Sequence, residues 1–581
     1  MAERIRLSAL VATRMVRAGA SRLATHPLLR WRFTPSKTDR LVIAPQDLRT
    51  ADATRATEIY AGRFAFAGKV VICDQRSPFE MAAPSEEWAA TLHGFGWLRH
   101  LRAGDSAITR ANARALIDDW IVLQGSGNGV AWRPDVLSRR VISWMSQAPL
   151  VLTETDARFY RRFLRGLTRQ VRYLRAVFKE TRDGQPRLQA AIALAYAALC
   201  MQGEMKQMRN AVRRLSDELD RQILPDGGHV SRNPGALVDI LLDLLPLRQA
   251  FHARQLPVPK SLSNAIDRMM PMLRFFRHGD GNTALFNGMG PTAADLNATV
   301  LAYDDARGNP VSSAPHSGYQ RLEAGDAVVL VDAGKPPPVA LSQEAHAGTL
   351  SFELSWRQHR LIVNCGVPAV GRETWRQVAR ATAAHSTVTF NDTSSSSFGE
   401  AGPFRNLLFG VPIIGGPHNV QSRRDDTDAG ISLQMMHDGY AKDFGVVHTR
   451  VLTLAPDGER LNGEDTFTPP YGDAIPPNTP DEYAVRFHLH PSAKANRLSD
   501  GKSVILVMPD REGWTFSTDG HPVEIEESVF LAGADRPRRT VQIVIYGHAR
   551  DNPEVRWQIA HLPRTPSGAA PNPDEPELPL S

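Results

Sequence analysis

Three short stretches carry side chains able to do chemistry. PDGGHVSRNP, from Pro225 to Pro234, sets His229, Arg232 and Asn233 in one loop. An imidazole can take a proton, a guanidinium can grip a carboxylate with two parallel hydrogen bonds, and an amide can steady developing negative charge. The competing reading is a capping loop, because Asn233 followed by Pro234 makes a good helix start. SQEAHAGTLSFELSWRQHRLIVNCG, from Ser342 to Gly366, holds Glu344, His346 and Asn364. RATAAHSTVTFND, from Arg380 to Asp392, opens an alternating run with His385 among small neighbours. There an imidazole is a ligand, a base or a bystander.

Other polar residues stand outside these stretches. MHDGYAKDFGVVHTR, from Met436 to Arg450, holds Tyr440, His448 and Arg450, and the last two share one strand face. His488 and His490 also share a face; a metal pair is one reading and exposed strand residues the expected one. Tyr319 reads as packing at a strand start. HGDGNTALFNGMG, from His278 to Gly290, is glycine-rich but does not join a strand to a helix as a nucleotide loop does; an interdomain connection is expected.

The elements that must position these residues fall into two halves. From about residue 50 to 300 apolar residues recur at three- and four-residue spacing. Helices are predicted over Arg110–Gly125, Pro134–Met145, Asp156–Arg182, Leu188–Gln202, Glu204–Leu224, Gly235–Gln255 and Lys260–Arg277. Short polar loops join them, so sequential neighbours should pack as antiparallel pairs. After about residue 315 the period becomes two. Strands are predicted over Asp326–Gly334, Thr349–Trp356 and Arg360–Gly366, and a hairpin over Val451–Leu461 turns on Asp457-Gly458. Many strands with turn signals between them make an antiparallel sandwich.

The chain has 581 residues, which favours two large domains. It is 42% hydrophobic and 22% charged, with mean hydropathy −0.29, the composition of a soluble globular protein. The net charge of +6 comes mostly from arginines scattered along helices, as in RFYRRFLRGLTRQVRYLR (Arg158–Arg175). An acidic polymer is a plausible partner, the alternative being solvated helix faces. There is no zinc-finger, basic-zipper or RNA-recognition signature, so no nucleic acid is expected. Cys73, Cys200 and Cys365 are too few and too scattered for a disulfide framework. The basic N-terminus lacks a clean apolar signal core, since Arg14 and Arg17 interrupt it. It reads as an amphipathic helix lying either on the protein or on a membrane surface.

A helical half before a sandwich, together with Pro225–Pro234, Ser342–Gly366 and the stretch around His385, resembles the heparinase II/III family of polysaccharide lyases over roughly residues 50–550. The resemblance implies an α+β multidomain fold: a basic segment (1–49), an (α/α) toroid (50–310), a β-sandwich (315–555) and a disordered tail (556–581). It also implies β-elimination of an acidic, uronate-containing glycan. A base removes the proton beside the carboxylate, the enolate is stabilised, and an acid protonates the leaving oxygen.

Laid on the family pattern, the catalytic histidine of the sandwich motif corresponds to Glu344 and the metal-type histidine to His346. Asn364 stands for a zinc-binding aspartate and His385 for the third ligand, which implies at most a weak structural zinc site. The family's helix asparagine is missing near Arg187, and its tyrosine is replaced around Leu237. His229, Arg232 and Asn233 are therefore the catalytic candidates, with Glu344, Tyr440, His448 and Arg450 as substrate contacts. The first expectation is a lyase. The second is a non-catalytic glycan-binding or envelope-assembly protein on the same scaffold. The resemblance implies the cell envelope or periplasm; the cytoplasm is the alternative.

Overall fold

The computed structural model describes residues 7–9, 11–17, 19, 33 and 40–562, apart from 125–128, 204, 304–307, 371–372, 400–409 and 471–473. Its first half is helical. Its longest described helices are α1 (Ala107–Leu123), α2 (Pro134–Ser146), α3 (Ala157–Val177), α4 (Gln185–Cys200), α5 (Met205–Gln222), α6 (Gly235–Ala253) and α7 (Lys260–Phe275). Local chemistry sets their starts. Ser106 and Thr109 form a capping box at α1, and the Asp156 carboxylate accepts from the Arg158 and Phe159 N–H groups at α3.

Burial separates the helices into two rings. α2, α4 and α6 are buried almost throughout; α4 and α6 are apolar on nearly every side, while α2 also buries Ser138, Arg140 and Ser143. α3 and α5 bury one face and turn arginines outward. α4 packs on α2, α5 and α6, while α3 packs on α2 and α7 on α6. This alternation of inner and outer helices is a toroid.

The second half is two antiparallel sheets. One runs from Val420–Thr427 through Gly430–His437, Val447–Leu454, Arg460–Thr468, Glu554–Leu562, Gly513–Thr518 and Ser503–Val507 to Lys494–Arg497. The other runs from Glu524–Phe530 through Arg538–His548, Glu482–Leu489, His359–Val363, Phe352–Trp356 and Ala327–Asp332 to Tyr319–Ala324 and Ser313–Ala314. The predicted hairpin forms, with Leu454 opposite Leu461 and Gly458 at φ 74°.

Ala327–Asp332 explains how the halves join. Every residue in it is buried. Val329 and Val331 enter the sandwich core, while Val328 and Leu330 enter the toroid core. A strand covered on both faces reads as a continuous apolar run, as AVVLV does. Asp332 follows on the toroid side, and that side matters below.

Three details depart from expectation. A small hairpin, Arg63–Phe66 with Lys69–Ile72, interrupts the helical half. The last strand carries the sandwich to Leu562, past the expected boundary at 555; residues 563–581 lie outside the described residues. Most of the basic N-terminal segment is likewise outside them, but Arg14 is buried 3.6 Å from Asp183 of the toroid. No described helix is long and apolar enough to cross a membrane.

Candidate functional site

Arg232 is the hub of the toroid–sandwich junction. Its backbone is left-handed, φ 64°, which turns the side chain out of the loop and into the sheet edge. Nε donates to Ser317 O at 2.7 Å, Nη1 to Gly334 O and Lys335 O at 3.2 and 2.9 Å, and Nη2 to Gly318 O and the Asp332 carboxylate at 3.0 and 2.5 Å. These contacts engage all five N–H donors of a guanidinium. Burial alone would lower its pKa, but Asp332 and Tyr319 raise it, so the charge stays. The Tyr319 hydroxyl donates to Arg232 O at 2.6 Å, and Asn287 Nδ2 donates to that hydroxyl and to Asp332 at 2.7 and 3.0 Å. Arg232, expected to hold a substrate carboxylate, holds the protein's own.

His229 is buried beside it, 2% exposed. Gln222 Nε2 donates to Glu218 at 2.7 Å, which turns Gln222 Oε1 toward His229 Nε2 at 3.0 Å. Nε2 therefore carries the proton. Nδ1 is left to accept from the Ser231 N–H at 3.2 Å, with Ser231 Oγ at 2.7 Å. Burial, then the nearby Arg221, lowers its pKa to about 4. The imidazole is neutral, as a base must be, but both nitrogens are committed. Asn233 accepts from the Gly235 N–H at 2.8 Å and caps α6, as its capping reading expects.

Glu344 is exposed and meets Arg182 of the toroid at 3.2 Å across the junction. The space that His229, Asn233, Asn287 and Glu344 line together is only about 90 Å³. Ligand pockets usually start at roughly 300 Å³. Arg187 and Leu237, where the family shows its asparagine and tyrosine, are both buried, and Arg187 donates to Thr181 O and pairs with Asp183.

Tyr440, His448 and Arg450 are not at the junction. They lie inside the sandwich. Tyr440 donates to Val388 O at 2.7 Å. His448 and Arg450 share a strand face as expected, but it is the inner face. Asp465, directly opposite Arg450 in register, accepts from Arg450 Nε and from His448 at 2.7 Å each. His488 and His490 are partnered rather than exposed. His488 is buried against Ser528 and Ala383 O, and His490 meets Ser492 and Arg360.

His346, Asn364 and His385 are brought together below the junction. His385 Nδ1 donates to Ala381 O at 2.8 Å, so His385 Nε2 accepts from His346 Nδ1 at 2.9 Å. The Ser386 N–H occupies the Asn364 amide oxygen at 2.9 Å. His346 Nε2 and Asn364 Nδ2 are buried with no hydrogen-bond partner among the described residues. Glu353 accepts from Asn364 N, Leu285 N and His278. A structural zinc takes four ligands, usually thiolate, imidazole or carboxylate. Two imidazoles bonded to each other, a neutral amide and no free carboxylate do not fit that set.

Two further depressions are distinct from the junction space. The larger, about 410 Å³, lies on the outer face of the eight-stranded sheet, where polar side chains pair across strands: Gln558 with Asn462 at 2.9 Å and Arg556 with Glu464 at 3.1 Å. The other, about 310 Å³, opens in the toroid between α4 and α6 and shares Gln185 with the junction. Asn287, Asp332, Gln222 and this depression were not among the expected site residues. Only Asn287, within a glycine-rich loop, left a sequence signal.

Residues 85–301 match the domain described as Heparinase II/III N-terminus, and residues 306–558 match Heparinase II/III-like, C-terminal. FtsZ-localized protein C of Caulobacter vibrioides is 34% identical over 526 residues, covering 89% of each chain. The heparan sulfate lyase HepC of Pedobacter heparinus superposes with a TM-score of 0.61 at 16% identity, covering 89% of this chain and 84% of its own. A heparinase III structure gives 0.67 at 14% identity, over 95% and 91%. Fold, domain order and sequence agree: the chain belongs to the heparinase II/III family.

Proposed function

We propose that this chain is a glycan-binding protein on a heparinase scaffold, without elimination chemistry, and that it works together with FtsZ. The observation that carries the reading is His229. Among the described residues lining the junction space, His229 is the only imidazole, and it is buried and hydrogen-bonded through both nitrogens. The guanidinium beside it is fully spent on the protein, and by the resemblance Glu344 takes the position of the family's catalytic histidine. The imidazole and the guanidinium that the resemblance offered as base and carboxylate clamp are thus both engaged by the protein itself, where β-elimination needs them free.

Binding capacity persists. Arg14, Arg17, Arg187 and Arg221 gather around Asp183 at the junction's rim, an excess of positive charge suited to an acidic glycan. The FtsZ partnership rests on the likeness to FtsZ-localized protein C, which extends over most of both chains.

The test has two arms. Purified protein is mixed with FtsZ polymers and pelleted, and the chain is expected in the pellet with FtsZ but not without it. In parallel, uronate polymers are incubated with the protein and followed by the ultraviolet absorbance of the double bond that elimination creates. Elimination of a uronate glycan by a rearranged site, the competing reading, requires that absorbance to rise. Failure to pellet with FtsZ sinks the partnership alone.

A further inference from the structure

The depression between α4 and α6 has a lining of its own. Gln185, Gln189 and Ile192 lie at four- and three-residue spacing along one face of α4. Asp239, Ile240 and Asp243 face them from α6, with Arg49 and Arg139 at the edge.

Its charges divide unequally. Asp243 accepts from Arg49 at 2.7 Å and from Arg139 at 3.0 Å, so one buried carboxylate engages both guanidiniums. Burial raises its pKa, yet the two arginines outweigh burial and hold it below the ordinary range. Among the described residues, Asp239 has no ion pair of its own. Gln185 Nε2 donates to its Oδ2 at 3.1 Å, and the carboxylate opens to the depression. The walls desolvate it, and its pKa is raised despite Arg49. Ile192 and Ile240 are the apolar part of the lining.

We infer that this depression is a subsite for one uncharged sugar ring. Asp239 and the two glutamine amides would receive and offer hydrogen bonds to ring hydroxyls, and the isoleucines would cover the C–H face. A uronate carboxylate is excluded by the same features, because Asp243 and Asp47 together balance the two guanidiniums that would attract it while Asp239 repels it. The volume, about 310 Å³, suits one ring. The shared Gln185 makes the subsite continuous with the junction, so a glycan can run from one to the other. This inference rests on the glycan-binding reading above and names the chemistry of one unit of that glycan.

The experiment is calorimetric titration of the full chain with chitobiose, cellobiose, maltose and an unsulfated heparan disaccharide. Any uronate disaccharide taken up at the arginine-rich rim is expected to be unaffected by changes in the depression, and wild type is expected to bind at least one neutral disaccharide there. Asp239→Asn and Gln189→Ala should each weaken that binding by about tenfold, with unchanged thermal unfolding. Tighter uronate binding in Asp239→Asn than in wild type, with no neutral sugar bound, overturns the ligand class while leaving glycan binding intact. Neutral-sugar binding that neither variant weakens overturns the location. No binding of any sugar overturns the subsite and the glycan-binding reading together, while the FtsZ pelleting result stands separately.

Discussion

The two ends of the cleft differ in how their polar atoms are used. At the junction, Arg232 has spent five donors and His229 both ring nitrogens on the protein itself. In the toroid depression, Asp239 is solvent-accessible and holds one Gln185 hydrogen bond. Buried polar groups must be paired or they cost stability, so a fully paired junction gains rigidity and loses the free lone pair that proton transfer requires. The groups that still face water can serve binding. In this chain, junction residues hold the two domains together, and the recognition proposed above falls to the toroid floor.

The strongest way to break this contrast is Arg232→Ala. It leaves Asp332 buried without its guanidinium, with the Ser317, Gly334 and Lys335 carbonyls losing their Arg232 donor, and should cost about 3–5 kcal/mol in chemical denaturation. Arg232→Lys should rescue little, since an ammonium cannot reproduce the planar fork. A loss under ~1 kcal/mol would show that the junction is not organised around this residue.

Acid pH tests the same end. His229 has its folded pKa lowered to about 4, so the folded state favours the neutral ring. The unfolded chain binds that proton from about pH 6.5 downward, so the contribution is fully present above about pH 6.5 and is lost as pH falls toward 4. The full effect is on the order of 3 kcal/mol. Stability measured from pH 7 to pH 4 should fall less steeply in His229→Gln than in wild type; parallel curves would contradict the burial of this ring.

At neutral pH, His229→Ala should cost about 1–3 kcal/mol because Gln222 and Ser231 lose their partner. The smallest effect belongs to the pair that crosses the junction in water. A double-mutant cycle on Arg182 and Glu344 should give about 0.2–1 kcal/mol. A larger coupling would mean that the junction closes through this pair rather than through Arg232.

Much of the architecture was legible in the sequence. The change of period near residue 315 marks the domain boundary, and the predicted helix Gly235–Gln255 is Gly235–Ala253 in the structure. The Asp457-Gly458 turn was read correctly because a glycine at φ 74° is local chemistry. The sites were harder to read because their outcome depends on distant partners. His448 and Arg450 were read as substrate contacts, but Asp465, on the neighbouring strand, gives them a reason to point inward. Arg232 looked like a substrate clamp because Asp332 lies 100 residues away in sequence. Asp239 looked like any polar residue on a helix, since only the packing of α4 on α6 makes a depression around it.

The most direct measurement follows ultraviolet absorbance while the purified chain is incubated with heparan sulfate, heparin, hyaluronan, chondroitin and alginate. A junction whose imidazole is fully engaged predicts no rise above the rate without protein for any polymer. A rise that disappears in His229→Ala would contradict the account, because it would show that this ring leaves its hydrogen bonds and acts as a base.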